Sequence, residues 1–168
     1  MSGSAAPSPA AHIPEAVLAE VYAHAVAGYP EEVCGLLIAD GKGGPIVEAR
    51  PCENRQNALH AEDPVHFTRD ARTAYNIGAK DLFFLDRSLR GPRPVTIIYH
   101  SHVEVGAYFS AEDKVAAAPD GELLYPVDYL VVDVKKDGVH GAKLFRFEHG
   151  DFVEIGAFPA LDLRAIEK

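Results

Sequence analysis

The segment from Tyr99 to Asp113, YHSHVEVGAYFSAED, concentrates side chains that could bind a metal or carry out acid–base chemistry. It holds two histidines, two serines and three carboxylates within fifteen residues, directly after an apolar run. In an extended segment, side chains at i and i+2 point the same way, so His100 and His102 share a face and Ser101 points opposite. Two such imidazoles can bind one metal, at about 2.0–2.1 Å for zinc. By itself, however, H-x-H is more often a hydrogen-bonded pair at a strand end.

Ser110 and Asp113 have an ordinary interpretation when they are considered alone. Ser-x-x-Asp before KVAAA is typical of a helix N-terminus, where the serine accepts a backbone N–H and the acid lies in the favourable first turn. Two other metal patterns do not fit the chain. The zinc-deaminase signature H-x-E…P-C-x-x-C and the H-E-x-x-H helix of many metalloproteases both fail to match.

The spacing does match one known arrangement once an upstream motif is included. H-S-H-x(7)-S-x-x-D, together with P-x-E-x-C-G from Pro30 to Gly35, resembles the JAMM (MPN+) zinc metalloprotease family, small prokaryotic type. The similarity extends from the first predicted helix to YPVDYLVVDV. Many prokaryotic members have proline where this chain has Val103 and Phe109, but neither position supplies a ligand.

The resemblance implies a catalytic site with one Zn²⁺ per chain. His100, His102 and Asp113 are the expected ligands, and the open fourth position is the pattern of a catalytic rather than a structural site. Water there would have its pKa lowered from about 15.7 to roughly 7. Glu32 is the expected general base, which passes the water proton to the leaving amine. Ser110 is expected to donate a hydrogen bond to the oxyanion of the tetrahedral intermediate.

Several neighbouring polar residues are not assigned to the site. Glu31 is expected to be solvated, and Glu104 to be a rim or solvent residue off the motif. His60 and His66 have no partner at ligand spacing. Cys34 is expected to be a small core residue rather than a nucleophile.

The resemblance also implies a substrate class. JAMM enzymes act on amide or isopeptide bonds, and small prokaryotic members resemble enzymes that cleave after the C-terminal Gly-Gly of a ubiquitin-like or sulfur-carrier protein. An E1-like activating enzyme is then expected in the same pathway. The segment 114–126 is too short for the insertion of linkage-specific deubiquitinases, and it has no Cys or His for a second zinc. An extended tail would bind by strand addition along a sheet edge, with Val103 and Phe109 lining its channel.

Two other function classes stay open at this stage. The main alternative is a non-catalytic MPN scaffold that mediates protein assembly, although such scaffolds characteristically lose ligands that this chain keeps. A structural zinc protein is disfavoured because only three protein ligands match. Metal content together with peptidase activity would separate the three classes.

Composition narrows the set of partners. The chain of 168 residues has 48% hydrophobic and 24% charged residues, as expected for one globular domain. Its formal charge of −9 argues against nucleic acid, although residues 69–93 hold six basic side chains against three acidic ones. The sequence has neither a membrane-length apolar run nor a signal-peptide pattern, so a cytoplasmic protein with free Cys34 and Cys52 is expected.

Apolar periodicity and turn residues predict a single α/β (α+β) domain with a mixed central sheet and flanking helices. The JAMM resemblance implies an MPN-like domain with cytidine-deaminase-like layering. The predicted helices are 13–27, 67–85 and 110–118, and 54–64 is a predicted polar loop. The predicted strands are 33–39, 46–52, 94–102 and 127–134, followed by a hairpin over 140–155. The expected organisation is a disordered tail at 1–11, the JAMM/MPN+ catalytic domain at 12–156 and a C-terminal extension at 157–168.

Overall fold

The structure is a computed structural model that describes residues 13–166, so the predicted tail at residues 1–11 lies outside the described residues. The described chain forms six strands and five helices. The helices are α1 (Glu15–Gly28), α2 (Gln56–Glu62), α3 (Ala79–Ser88), α4 (Ala111–Ala117) and α5 (Leu163–Ile166). The strands are β1 (Cys34–Ala39), β2 (Ile46–Cys52), β3 (Val95–Val103), β4 (Asp128–Lys135), β5 (Gly138–Glu148) and β6 (Asp151–Pro159).

The six strands form one mixed sheet in the order β2-β1-β3-β4-β5-β6. The β3–β4 pair is parallel and the other neighbouring pairs are antiparallel. The central strands β1, β3 and β4 are buried along most of their length, which explains their nearly continuous apolar sequences. The predicted α/β single domain with a mixed sheet is therefore confirmed.

Helices cover both faces of this sheet. α1 packs its buried residues, among them Val21 and Tyr22, against the face that carries Leu37, Ile97 and Leu130. The opposite face is covered by α3, α4 and the aromatic side chains of the last hairpin. Because β3 is covered on both sides, consecutive side chains of this strand enter two different cores.

Two predictions between β2 and β3 are wrong. The segment 54–64, predicted as a polar loop, contains α2, whose first N–H is bound by the Asn54 side chain at 3.0 Å. The predicted helix over 67–85 is reduced to α3, and residues 67–78 are irregular, with a turn at 71–73 and one bridge between Asn54 and Ile77. Backbone groups in this segment bond to the side chains of Asn54, Gln56 and Asn57, which substitute for helical hydrogen bonds.

The C-terminal strand continues past residue 156, where the catalytic domain was expected to end. β6 runs to Pro159, and Phe158, Leu161 and Leu163 pack against the core under α1. Cys34 and Cys52 are both buried free cysteines, as predicted. No helix within residues 13–166 has the length and apolar character needed to cross a membrane.

Candidate metal and catalytic site

Strand β3 places the two histidines of the H-x-H motif on one face of the sheet. His100 and His102 are buried on the face covered by α4, as their spacing predicted, and their ring centroids lie 5.0 Å apart. Ser101 points to the other face, where its hydroxyl accepts the Val33 N–H at 2.8 Å. Because β3 lies between β1 and β4, both imidazoles are held by strands on either side.

Helix α4 begins with the capping box that its sequence predicted. The Ser110 hydroxyl accepts the Asp113 N–H at 3.0 Å, and Asp113 Oδ2 accepts the Ser110 N–H at 3.0 Å. The same carboxylate oxygen lies 3.2 Å from His100 Nε2 and 3.1 Å from His102 Nε2. The cap is therefore what directs the Asp113 carboxylate at the two histidines.

Two of the three side chains, Asp113 and His100, have pKa values shifted towards the protonation states that metal ligands need. Burial alone would raise the pKa of Asp113, but His100, His102 and the Ser110 N–H hold it well below its usual range. Burial lowers the pKa of His100, although the negative charge of Asp113 acts to raise it. An ionised carboxylate beside a neutral imidazole is the state in which both groups can bind a cation.

These residues fit a zinc ion by the chemistry of their donors. One ligand atom from each of His100, His102 and Asp113 lies within 4.8 Å of the other two, and all three residues are buried. His102 Nδ1 is 3.2 Å from the Gly106 carbonyl, a contact that assigns the proton to Nδ1 and leaves Nε2 free as a ligand. The His100 ring stacks on Tyr75, with centroids 4.3 Å apart and an interplanar angle of 21°. Two imidazoles and one carboxylate are a usual donor set for catalytic zinc.

Glu32 is buried at the same site, two residues before the start of β1. Its N–H donates to the Ala71 carbonyl at 2.7 Å, and its carbonyl accepts from Asn54 Nδ2 at 2.9 Å. Burial raises the pKa of Glu32 to about 9, the charge of Asp113 adds to the shift, and Arg69 opposes it. Two hydrogen bonds therefore fix the backbone of Glu32. Its carboxyl group lies in a poorly solvated position.

One pocket of about 200 Å³ joins these groups. Its lining includes Glu32, His102, Ser110 and Asp113. Since the Ser110 oxygen uses a lone pair to cap α4, its hydroxyl hydrogen is still available for donation into the pocket. The predicted base, the predicted oxyanion donor and two of the predicted ligands therefore face one space.

The polar residues that were not assigned to the site from the sequence lie where they were expected. Glu31 and Glu104 are exposed, and Glu104 accepts hydrogen bonds from Tyr29 Oη and the Lys136 N–H. Cys34 is a buried core residue. His60 and His66 lie outside the metal-ligating group that the structure describes.

The prediction about the channel is only half right. Val103 lines the pocket, but Phe109 does not, because its ring is buried among Tyr129, Phe145 and Phe152. Tyr108, next to Phe109, lines the pocket instead and meets the His102 ring edge-on, with centroids 4.8 Å apart.

Four supporting residues were missed by the sequence analysis: Ser101, Asn54, Tyr75 and Arg69. A serine within a buried strand was a signal for Ser101, because buried hydroxyls need a partner. The other three had no usable signal, since they come from the segment between β2 and α3 that was assigned the wrong local structure. Arg69 reaches the site from there and forms an ion pair with Glu112 at 2.8 Å.

Comparisons with known proteins identify the family of the chain and agree with its fold. The sequence model of a family described as prokaryotic homologs of the JAB domain matches residues 14–146. A solution structure of a Desulfitobacterium hafniense protein is similar, with a TM-score of 0.59 and 19% identity over 85% of this chain and 88% of that one. A solution structure from Salinibacter ruber has a TM-score of 0.56 and 20% identity over 88% of this chain and 90% of that one. No curated protein matches the sequence.

Proposed function

This chain belongs to the family of prokaryotic homologs of the JAB domain, and from that premise we propose that it is a zinc-dependent metallopeptidase. Its proposed substrate is the amide or isopeptide bond that follows the C-terminal Gly-Gly of a ubiquitin-like or sulfur-carrier protein. The observation that carries the proposal is the buried group of His100, His102 and Asp113, of which His102 and Asp113 line one pocket with Glu32 and Ser110.

His100, His102 and Asp113 would hold the zinc ion. When bound, zinc supplies Lewis-acid activation of water and of the scissile carbonyl, and it lowers the pKa of water from about 15.7 to roughly 7. The three side chains contribute fixed positions, because two project from one central strand and the third is held by its helix cap. Such rigid placement keeps the site assembled before the substrate arrives.

Glu32 would transfer the proton. A buried carboxylate whose pKa is raised accepts a proton from water more readily than a solvated one does. The same group can then release the proton to the leaving amine, so that one residue serves as base and then as acid. Arg69 lines the same pocket, and its positive charge acts to lower the pKa of Glu32, in opposition to burial.

Ser110 would stabilise the developing negative charge on the carbonyl oxygen. Its hydroxyl oxygen is held by the Asp113 N–H, so the O–H bond can turn into the pocket without breaking the cap. A donor fixed in this way loses little entropy when the oxyanion forms, and one such donor is typically worth about 10²–10³-fold in turnover.

The size of the pocket favours a tail without side chains. A space of about 200 Å³ lined by Val103, Val105 and Tyr108 suits an extended glycine backbone better than a bulky residue. Glycine also adopts the extended and unusual backbone angles that a narrow passage can demand. These features support Gly-Gly on the acyl side of the cleaved bond.

The test uses a carrier protein extended by one residue beyond its Gly-Gly terminus, with product mass as the readout. We expect release of the added residue and a product that ends in Gly-Gly. Replacing the final glycine by a bulky residue should suppress the cleavage strongly. Equal cleavage of both substrates, or cleavage at unrelated peptide bonds, would reject the specificity.

The non-catalytic scaffold is the competing function, and the same assay separates it. A scaffold would bind partners but release no product at any zinc concentration. The presence of His100, His102, Asp113, Glu32 and Ser110 in one buried site supports the peptidase over the scaffold.

A further inference from the structure

A second groove lies along α3 and shares none of its lining residues with the pocket around Glu32. Its volume is about 580 Å³, which is larger than that of the site pocket. We call it the basic groove and define it by Arg50, Lys80, Phe83, Phe84, Arg87 and Arg93. It is formed by β2, α3 and the turn that leads into β3.

Most of the positive charge in the basic groove is uncompensated. Arg50 forms an ion pair with Asp81 at 3.1 Å. Within residues 13–166, however, Lys80, Arg87 and Arg93 have no carboxylate partner. On a chain of formal charge −9, three unpaired cations around one groove give a local positive potential that attracts an anionic partner.

Aromatic rings lie among these cations. Phe83 has 63% of its surface exposed, and the Arg87 guanidinium lies 5.8 Å from its ring centroid. The Arg50 guanidinium lies 4.0 Å above the ring of Phe84. Arginine and aromatic side chains are enriched at protein–protein interfaces, so the composition of the basic groove fits a protein partner.

One segment connects the basic groove to the catalytic pocket. Residues 69–75 line the pocket with Arg69, Arg72 and Tyr75, and the bridge between Ile77 and Asn54 fixes the point where α3 starts. The chain then passes directly into α3 and the groove. The groove and the pocket also lie on the same face of the sheet, because Phe84 of α3 and Ala117 of α4 pack against one core cluster. A protein whose tail enters the pocket can therefore extend over this face towards the groove.

We propose that the basic groove is a docking site for an acidic face of the protein substrate, which it holds while the Gly-Gly tail occupies the catalytic pocket. This inference rests on the proposed function. A symmetric contact with a second copy would bring the two sets of cations together, which is unfavourable. The net charge of the whole chain opposes the approach of a nucleic acid.

The experiment measures kcat/KM of the wild-type protein and of a double variant in the groove, each with two substrates. The substrates are an acidic β-grasp carrier protein extended beyond Gly-Gly and a short peptide with the same tail. In Lys80→Glu/Arg87→Glu we expect kcat/KM for the carrier protein to fall about tenfold or more, because complementary charge mainly increases the association rate. The value for the peptide should stay close to wild type, since the peptide does not reach the groove.

Lys42→Glu/Arg90→Glu is the matched control, because it makes the same change in net charge at exposed positions outside the groove. An equal loss in this control, an equal loss with the peptide, or no loss with the carrier protein would each overturn the proposal. Thermal unfolding of both double variants shows whether either has lost its fold.

Binding is measured separately with Glu32→Gln protein, so that failure of the proposed activity can be recognised by itself. Absence of cleavage of both substrates by wild type would reject the peptidase. Weaker carrier binding after charge reversal in the groove would still support docking there. Unchanged carrier binding, or displacement of the carrier by a fluorescent oligonucleotide, would overturn the docking proposal.

Discussion

Val33 and Ser101 are joined by two hydrogen bonds, one from the Val33 N–H to the Ser101 hydroxyl at 2.8 Å and one from the Ser101 N–H to the Val33 carbonyl at 3.0 Å. Val33 follows Glu32, and Ser101 lies between His100 and His102. This pair therefore sets the position of the proposed base relative to the proposed ligands. A residue on the far side of the sheet thus contributes to the geometry of the site.

Ser101→Ala should reduce both stability and turnover while zinc stays bound. The change leaves the buried Val33 N–H without its acceptor, which typically costs about 1–3 kcal/mol in the free energy of unfolding. Urea unfolding, zinc content and product formation are the measurements. Ser88→Ala is a matched control, because the Ser88 hydroxyl accepts the Val95 N–H at 3.0 Å at the other end of β3. If Ser88→Ala lost as much activity as Ser101→Ala, a positioning role for Ser101 would be contradicted.

Wild-type protein should bind about one zinc ion per chain, and His102→Ala should lose most of it. The reason is that His102 supplies one of the three donors in the buried group His100, His102 and Asp113. Elemental analysis after dialysis measures the stoichiometry. His66→Ala is the control, because His66 is exposed and paired with Asp63. Zinc-free wild type after zinc has been supplied would reject the site.

Glu32→Gln should keep its zinc and lose about 10²–10⁴-fold in turnover, the usual cost of removing a general base. The amide preserves the shape of the side chain, so the ligands are undisturbed. Glu31→Gln is the neighbouring control and should stay close to wild type, because Glu31 is exposed and its carboxylate accepts a hydrogen bond from Asn57 outside the site. Turnover of Glu32→Gln within a few-fold of wild type would show that another group is the base.

The zinc-free protein should lose stability as the pH rises from about 4.5 towards 9. The pKa of Glu32 is near 4.5 in an unfolded chain and about 9 in the fold, so folding favours the protonated form. As the pH rises between those two values, the free energy of unfolding therefore falls by about 1.4 kcal/mol for each pH unit. Chemical unfolding with a chelator present, at several pH values, measures the slope. Glu32→Gln should remove this part of the slope, and an identical slope in wild type and variant would contradict the burial effect.

Comparison of Ser110→Gly with Ser110→Ala should separate the capping role of Ser110 from its proposed role in catalysis. Glycine at an N-cap costs only a few tenths of a kcal/mol, whereas alanine costs about 1 kcal/mol. Both variants lack the hydroxyl, so both should lose about 10²–10³-fold in turnover although they differ in stability. Melting temperature and single-turnover rates give the two readouts. Turnover that followed stability across the two variants would reduce Ser110 to a capping residue.

The JAMM resemblance supplied the proposed ligands, and the relative placement of their side chains was predictable because it depends on short-range geometry. The period of two in a strand is enough to put His100 and His102 on one face, and the i to i+3 relation of a capping box is enough to orient Asp113. Neither relation needs information from distant parts of the chain. The mixed sheet followed in the same way from the apolar runs and the turns between them.

The segment between β2 and α3 was not predictable from local patterns. Residues 67–78 contain residues compatible with a helix, but their backbone groups bond to Asn54, Gln56 and Asn57, which are more than ten positions away. Phe109 was misassigned for a similar reason, since Phe145 and Phe152 of the last hairpin take its ring into the core. Contacts between remote parts of the chain override local preference in both cases.

The motif was enough to indicate which side chains could bind a metal, because its spacing lies within one strand and one helix turn and resembles that of the JAMM family. The surroundings of these side chains depend on contacts between distant parts of the chain. The pairing of β1 with β3 brings Glu32 to the histidines, and the irregular segment 67–78 adds Tyr75 and Arg69 to the site. Desolvation of Glu32 arises from this assembly, since a pKa shift by burial requires neighbours from several elements at once.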